Sequence, residues 1–250
     1  MHLVGVRGVS KVFGNGATAL SDISMDVASG EFLSILGPSG CGKSTLLRLI
    51  AGLLRPTAGT IEWPGGRRDL GFVFQEATLM PWTTALGNVA LPLRLRGMAR
   101  GEREARAAEM LARVGLKGFE RTWPRELSGG MKMRVSLARA LVMKPRLLLM
   151  DEPFAALDEI TRHRLNGDLL DLWRHSGVTV VFVTHSVFES VFLSQRIVVM
   201  AARPGRVAAE LAIDPRQPRD EAFRTSTEYG AYCRLASARL GEAMAMEPLA

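Results

Sequence analysis

Between a short apolar run and an amphipathic segment stand Gly37-Pro38-Ser39-Gly40-Cys41-Gly42-Lys43-Ser44-Thr45, and no other stretch constrains the chain as strongly. Residues Glu31 to Leu36 before it read as a buried strand. Lys43 to Ala51, carrying Leu46, Leu47, Leu49 and Ile50, reads as a helix. The G-x-x-x-x-G-K-S turn between them lets backbone N–H groups face inward around an anion, and the helix N-terminus adds partial positive charge. The Lys43 ammonium can reach the β- and γ-phosphates of a nucleotide, and the Ser44 hydroxyl can hold Mg²⁺.

Three further strand ends carry chemistry that such a cradle needs. Arg146 to Met150 reads as a central parallel strand that delivers Asp151 and Glu152 to its C-terminal end, where open α/β sheets place ligands. Asp151 is the expected Mg²⁺ partner, and Glu152, pointing elsewhere, suits the water that attacks the γ-phosphate. An acidic pair closing a strand also serves as a plain helix cap; its coupling to the Lys43 loop favours the catalytic role. Val178 to Val183 ends in Thr184-His185, where an imidazole can donate a hydrogen bond to the γ-phosphate and sense whether it is still attached. Leu70 to Phe74 closes on Gln75, whose amide suits Mg²⁺ or the attacking water.

Far downstream, Leu127-Ser128-Gly129-Gly130 supplies another glycine-flanked serine ahead of the helical segment Met131 to Met143. Free N–H groups at that helix start suit a phosphate, yet one nucleotide held at Lys43 need not reach them. The two stretches together suggest a nucleotide sandwiched between two copies of the protein.

The ordered set resembles the ATPase subunit of an ATP-binding cassette (ABC) transporter. Gly37 to Thr45 matches its Walker A loop, Gln75 its Q-loop, and Leu127 to Met131 its signature. Leu147 to Glu152 matches Walker B, Ala156-Leu157-Asp158 the D-loop, and His185 the switch histidine. Phe13 matches the aromatic that stacks on adenine. The resemblance departs at Met131, where many relatives have Gln, and at Phe13, where many have Tyr.

This resemblance implies an α/β P-loop NTPase core with an antiparallel β subdomain and an inserted α-helical signature subdomain. It implies ATP and Mg²⁺ as ligands, with Glu152, His185 and Gln75 catalytic. Phe13, Gly37, Pro38, Ser39, Gly40, Cys41, Gly42, Lys43, Ser44, Thr45, Ser128, Gly129, Gly130 and Asp158 would hold the nucleotide, and Ser44, Gln75 and Asp151 the metal. ATP would join two head-to-tail subunits and its hydrolysis would release them. The other expected partners are transmembrane permease subunits and, indirectly, a solute-binding protein. The expected location is the cytoplasmic face of the inner membrane.

A chain of 250 residues with 47% hydrophobic content accommodates one such cassette and not two. The expected organisation is a single ATPase domain over 1–213, with the helical insertion at about 76–140, followed by a tail over 214–250 of helices or partial disorder. Residues 2 to 30 read as short β segments around Gly14-Asn15-Gly16, and Pro64-Gly65-Gly66 as a turn. Arg203 to Arg206 reads as the turn of a hairpin. Mean hydropathy is +0.10, but no apolar run approaches the ~18 to 20 residues that span a bilayer, and no signal-peptide core is present. Cys41 and Cys233 suggest no disulfide framework.

The net charge of +7 and pI near 10.1 raise nucleic acid as a partner. Dispersed arginines without an aromatic platform, a zinc pattern or a recognition helix argue against it. The denser group Arg94, Arg96, Arg100, Arg103, Arg106, Arg113 and Lys117 is interleaved with acids and reads mostly as a solvated face, with proximity to anionic lipid headgroups as the alternative.

Phe74 to Trp82 with Asn88-Val89, Asp151 to Asp158, and Ala202 to Arg206 are similar to importers of the nitrate, sulfonate, taurine and bicarbonate group. That group includes transporters of thiamine precursors, and the ATPase does not touch the cargo. An exporter, a lipoprotein-releasing system or a non-transport ABC ATPase is the alternative. Pro81-Trp82 is expected to cover an apolar spot in the connection beyond Gln75, beside the groove that the resemblance assigns to the permease.

Overall fold

The computed structural model describes residues 2–64, 66, 70–214 and 219–245. It divides into two compact units, residues 1–67 with 179–250, and residues 68–178.

In the first unit, β1 (His2–Val12) pairs antiparallel with β2 (Thr18–Ala28) and, along its other edge, with β4 (Ala58–Glu62). The short segments expected over 2 to 30 are instead two strands of 11 residues each. Register shifts bend the ladder without ending it, and Gly8 and Asp22 take positive φ of 56° and 50° where it bends. The expected turn is present: the Gly16 N–H donates to the Phe13 carbonyl and Ala17 N–H to the Asn15 side chain.

The same unit holds four strands in the order β7 (Thr179–Thr184), β3 (Phe32–Leu36), β8 (Arg196–Ala201), β9 (Arg206–Ala212). The first three run parallel and β9 closes the edge antiparallel, forming the expected hairpin. All five residues of β3 are buried, as expected of a largely apolar strand covered on both faces, with Ser34 the one polar residue among them. Helix α1 (Lys43–Ile50) follows it and buries Leu46, Leu47, Leu49 and Ile50. The tail is helical in its described part: α7 (Glu221–Arg224) and α8 (Thr227–Ala245), which packs on α6 (Val187–Leu193).

In the second unit, β5 (Leu70–Val73) lies parallel to β6 (Leu147–Asp151). Helices α2 (Ala85–Leu95), α3 (Arg100–Arg113) and α4 (Gly129–Leu141) pack on one another, and α5 (Glu159–Ser176) follows β6. Gly71 is required where β5 crosses α4, because a Cβ there would sit 2.7 Å from the Ala140 carbonyl. The basic group on α3 is a solvated face: Arg100–Glu104, Arg106–Glu102 and Arg113–Glu109 form exposed ion pairs one turn apart. No described helix is long and apolar enough to cross a membrane. The turn predicted at Pro64-Gly65-Gly66 includes Gly65, which lies outside the described residues.

Candidate functional site

The expected site residues fall into two sets, one in each unit. In the first, Leu36 at the end of β3 pairs with Thr184 at the end of β7, so the glycine-rich loop and His185 leave adjacent parallel strands at the same end. Lys43 is buried at the start of α1, and its ammonium donates to the carbonyls of Gly37 and Pro38 at 2.9 Å each. That arrangement draws the lysine back over its own loop. Phe13, in the turn between β1 and β2, is 40% exposed, with the Lys11 ammonium 5.4 Å from its ring centre.

The loop is tight behind and open in front, as a phosphate cradle must be. A Cβ on Gly37 would lie 2.7 Å from Cys41 Sγ and 2.8 Å from the Met200 carbonyl. Gly42 caps α1 with φ of 95°, and a Cβ there would meet Leu20 at 2.6 Å. A Cβ added at Gly40, whose φ is 80°, would meet nothing within 4 Å beyond its chain neighbours.

The sequence places Gly205 in a hairpin turn and in an importer-like stretch, and in the structure it also backs this loop. Its N–H donates to the Ala19 carbonyl, its own carbonyl accepts from Ser21 N–H, and a Cβ would lie 2.2 Å from the Cys41 carbonyl. Gly205→Ala therefore pushes on the cradle's own backbone. Overpacking of this kind costs about 1 to 3 kcal/mol, and we expect ATP affinity to fall about tenfold in a nucleotide titration of the folded variant. Unchanged affinity would mean that the hairpin yields instead of the loop.

In the second unit, Val73 lies opposite Met150, which brings Gln75 to the same end of the strand pair as Asp151 and Glu152. Asp151 is buried as the last residue of β6. Glu152 turns the chain with φ of 44°, a left-handed conformation that an ordinary side chain seldom adopts. The signature region shows a correction. Helix α4 begins at Gly129, not Met131, so Gly129 and Gly130 form its first turn instead of preceding it. The cause is Ser128, whose hydroxyl accepts from Met131 N–H and caps the helix.

Asp158 caps α5 in the same way, accepting from Thr161 N–H at 2.9 Å. The backbone and side-chain hydrogen bonds of Thr161 hold its carboxyl below the usual range. The two helix starts are packed together: a Cβ on Gly129 would meet Leu157 at 3.3 Å, and one on Gly130 would meet Thr161 at 2.9 Å.

Two arginines of α4 were not singled out from sequence. Arg139 donates to the carbonyls of Ala77 and Thr78 and to the Thr78 hydroxyl, tying the segment just beyond Gln75 to the signature helix. Burial pulls its guanidinium below the ordinary arginine value. Arg134 bonds the Val114 carbonyl and the Asp168 carboxylate. Their spacing from Gly129 was the available signal, but their partners lie 20 to 62 residues away in sequence. Buried Asn88 adds a third tie, its amide bonding the backbone of Met80, Thr83 and Thr84.

Trp82 corrects another expectation. It is 73% exposed instead of buried over an apolar spot, while Met80 near it is half-buried.

The donor chemistry fits Mg²⁺. Ser44, Gln75 and Asp151 offer only hard oxygen donors, and the described residues contain no cluster of three or more His, Cys, Asp or Glu arranged to hold a metal.

The family model described as ABC transporter matches residues 20–155. The chain is 46% identical to the taurine import ATP-binding protein TauB of Pseudomonas aeruginosa, over 92% of this chain and 90% of that one. It is 44% identical to the nitrate import ATP-binding protein NrtD of Synechocystis sp., over 91% and 90% respectively. Among solved structures, it resembles a dimeric post-hydrolysis state of the ATP-binding cassette MJ0796 bound to ADP and Pi. That likeness has a TM-score of 0.76 and 36% identity, covering 84% of this chain and 99% of that one.

Proposed function

Because this chain belongs to the ABC transporter family, we propose that it is the ATP-hydrolysing subunit that energises an importer of a small solute in the class of taurine or nitrate. The observation that carries the reading is the presence of two phosphate-type sites in one chain. One is the loop of Lys43, open at Gly40; the other is the capped helix start at Ser128, with Gly129 and Gly130 in its first turn. A second copy of the chain supplies the complementary half of each nucleotide sandwich. The dimeric relative with ADP and Pi supports this arrangement.

The residues then have separate tasks. Backbone N–H groups of Gly37 to Thr45 and the start of α1 surround the phosphates, Lys43 leaves its two carbonyl partners to meet the β- and γ-oxygens, and Phe13 stacks on adenine. Ser44, Gln75 and Asp151 would hold Mg²⁺, which neutralises developing charge on the phosphates. Glu152 accepts the proton of the attacking water, and His185 donates to the γ-phosphate oxygens. Ser128, Gly129 and Gly130 bind the γ-phosphate held by the other copy, with Asp158 beside them. Loss of that phosphate removes the charge joining the copies. The chain acts against a permease at the cytoplasmic membrane face, with a solute-binding protein delivering cargo beyond it.

The exposed Trp82 supports permease docking at the segment that Arg139 and Asn88 hold. Trp82→Ala is expected to weaken co-purification with the cognate permease by about 1 to 3 kcal/mol and to leave the ATPase rate of the free subunit unchanged. The function itself is tested by reconstituting the two with the solute-binding protein in vesicles. ATP-dependent uptake that stops with Trp82→Ala supports the reading, and equal loss of the free subunit's ATPase activity would return Trp82 to a packing role.

A further inference from the structure

The helix that follows His185 is too short to set its own direction. With seven residues, α6 depends on what it touches at each end. At its start, Thr184 Oγ1 accepts from Ser186 N–H at 3.0 Å and donates to Glu189 Oε2 at 2.6 Å. Ser186 Oγ in turn accepts from Glu189 N–H. These bonds close a small ring around the backbone of His185, and both Thr184 and Glu189 are buried. At its other end Ser194 bonds Ser34 in the middle of β3, the strand that leads to the Lys43 loop.

The outer side of α6 is held by the tail. The last carbonyls of a helix have no partner within it. Here those of Val191 and Phe192 both accept from Arg219 Nη1, at 2.8 and 3.0 Å, and Arg219 is only 7% exposed. The Arg224 guanidinium lies 3.5 Å over the Phe192 ring. The Tyr229 hydroxyl donates to the Phe188 carbonyl at 3.0 Å, and the Tyr229 ring packs edge-on against Phe223. Burial pushes the Tyr229 phenol above its ordinary value, so it remains a donor at neutral pH. Three tail side chains thus grip one seven-residue helix along its length, and that helix carries the acid that closes the His185 turn.

We propose that residues 219–245 brace the switch histidine: Arg219, Arg224 and Tyr229 fix α6, and α6, through the Glu189–Thr184 bond, fixes His185 for hydrolysis. The inference rests on the reading of His185 as the residue that meets the γ-phosphate. Arg219 is on this account a positioning residue that never touches nucleotide.

The test uses the full chain with Arg219→Ala, Arg219→Lys and Tyr229→Phe. Measured are kcat and KM for Mg-ATP, nucleotide affinity by titration, and amide hydrogen exchange of residues 184–194. Arg219→Ala should lower kcat about tenfold, because a small displacement of a reacting group is costly, while ATP affinity stays within about twofold. Exchange should rise in 184–194 but not in α1. Arg219→Lys, which keeps one cationic donor, should recover part of the rate. Tyr229→Phe removes one oxygen and should lower kcat in the same direction by about twofold, which keeps the proposal testable if Arg219→Ala does not fold.

Raised exchange in α6 with kcat unchanged would overturn the brace. So would equal loss of kcat and ATP affinity, since that describes general unfolding. A wild-type chain that hydrolyses no ATP under any condition would instead defeat the functional reading beneath it.

Discussion

Glu152→Gln is expected to leave ATP binding within about twofold of wild type and to slow phosphate release about a hundredfold or more. The amide nearly matches the carboxylate in size, so the turn at residue 152, with its φ of 44°, is preserved. On the proposed role, what disappears is the ability to accept a proton from the attacking water. If, as proposed, ATP that is bound but not cleaved keeps two copies joined, the variant should run as a dimer in sedimentation with ATP and as a monomer with ADP. A variant that turns over at nearly the wild-type rate would assign the base elsewhere, with His185 the first residue to test.

Lys43→Ala acts earlier in the cycle. The ammonium is buried, makes two hydrogen bonds to carbonyls of its own loop, and is the full positive charge within the cradle. A charge-assisted contact to phosphate is worth about 1.5 to 3 kcal/mol, so affinity should fall by at least about tenfold, and turnover with it. Nucleotide titration reads the outcome, and unchanged affinity and turnover would remove Lys43 from the site.

Much of this was legible in the sequence because it is local. The run from Glu31 to Ile50 contains a buried strand, the glycines of a tight turn and a helix with a regular apolar face, all within 20 residues. Asp151, His185 and Gln75 were legible because each ends a continuous apolar strand. The lengths of β1 and β2 were not, since bulges at Gly8 and Asp22 break the alternation without ending the pairing. The start of α4 moved to Gly129 because a serine cap outweighs the poor helix propensity of two glycines. Gly205, Arg139 and Arg219 escaped because their roles lie in distant partners: the Cys41 carbonyl, the backbone of residues 77 and 78, and the end of α6. Trp82 misled because a large apolar residue in a connecting loop ordinarily buries itself, and this one stands in solvent.

On the proposed function, two copies of this chain enclose ATP and cleave it. The most direct measurement is phosphate release from Mg-ATP by the purified protein over a range of protein concentrations, with Lys43→Ala and Glu152→Gln alongside. Release should rise more steeply than in proportion to protein concentration, and both variants should abolish it or nearly so. Strictly proportional release, or release that survives in both variants, would contradict the proposed function.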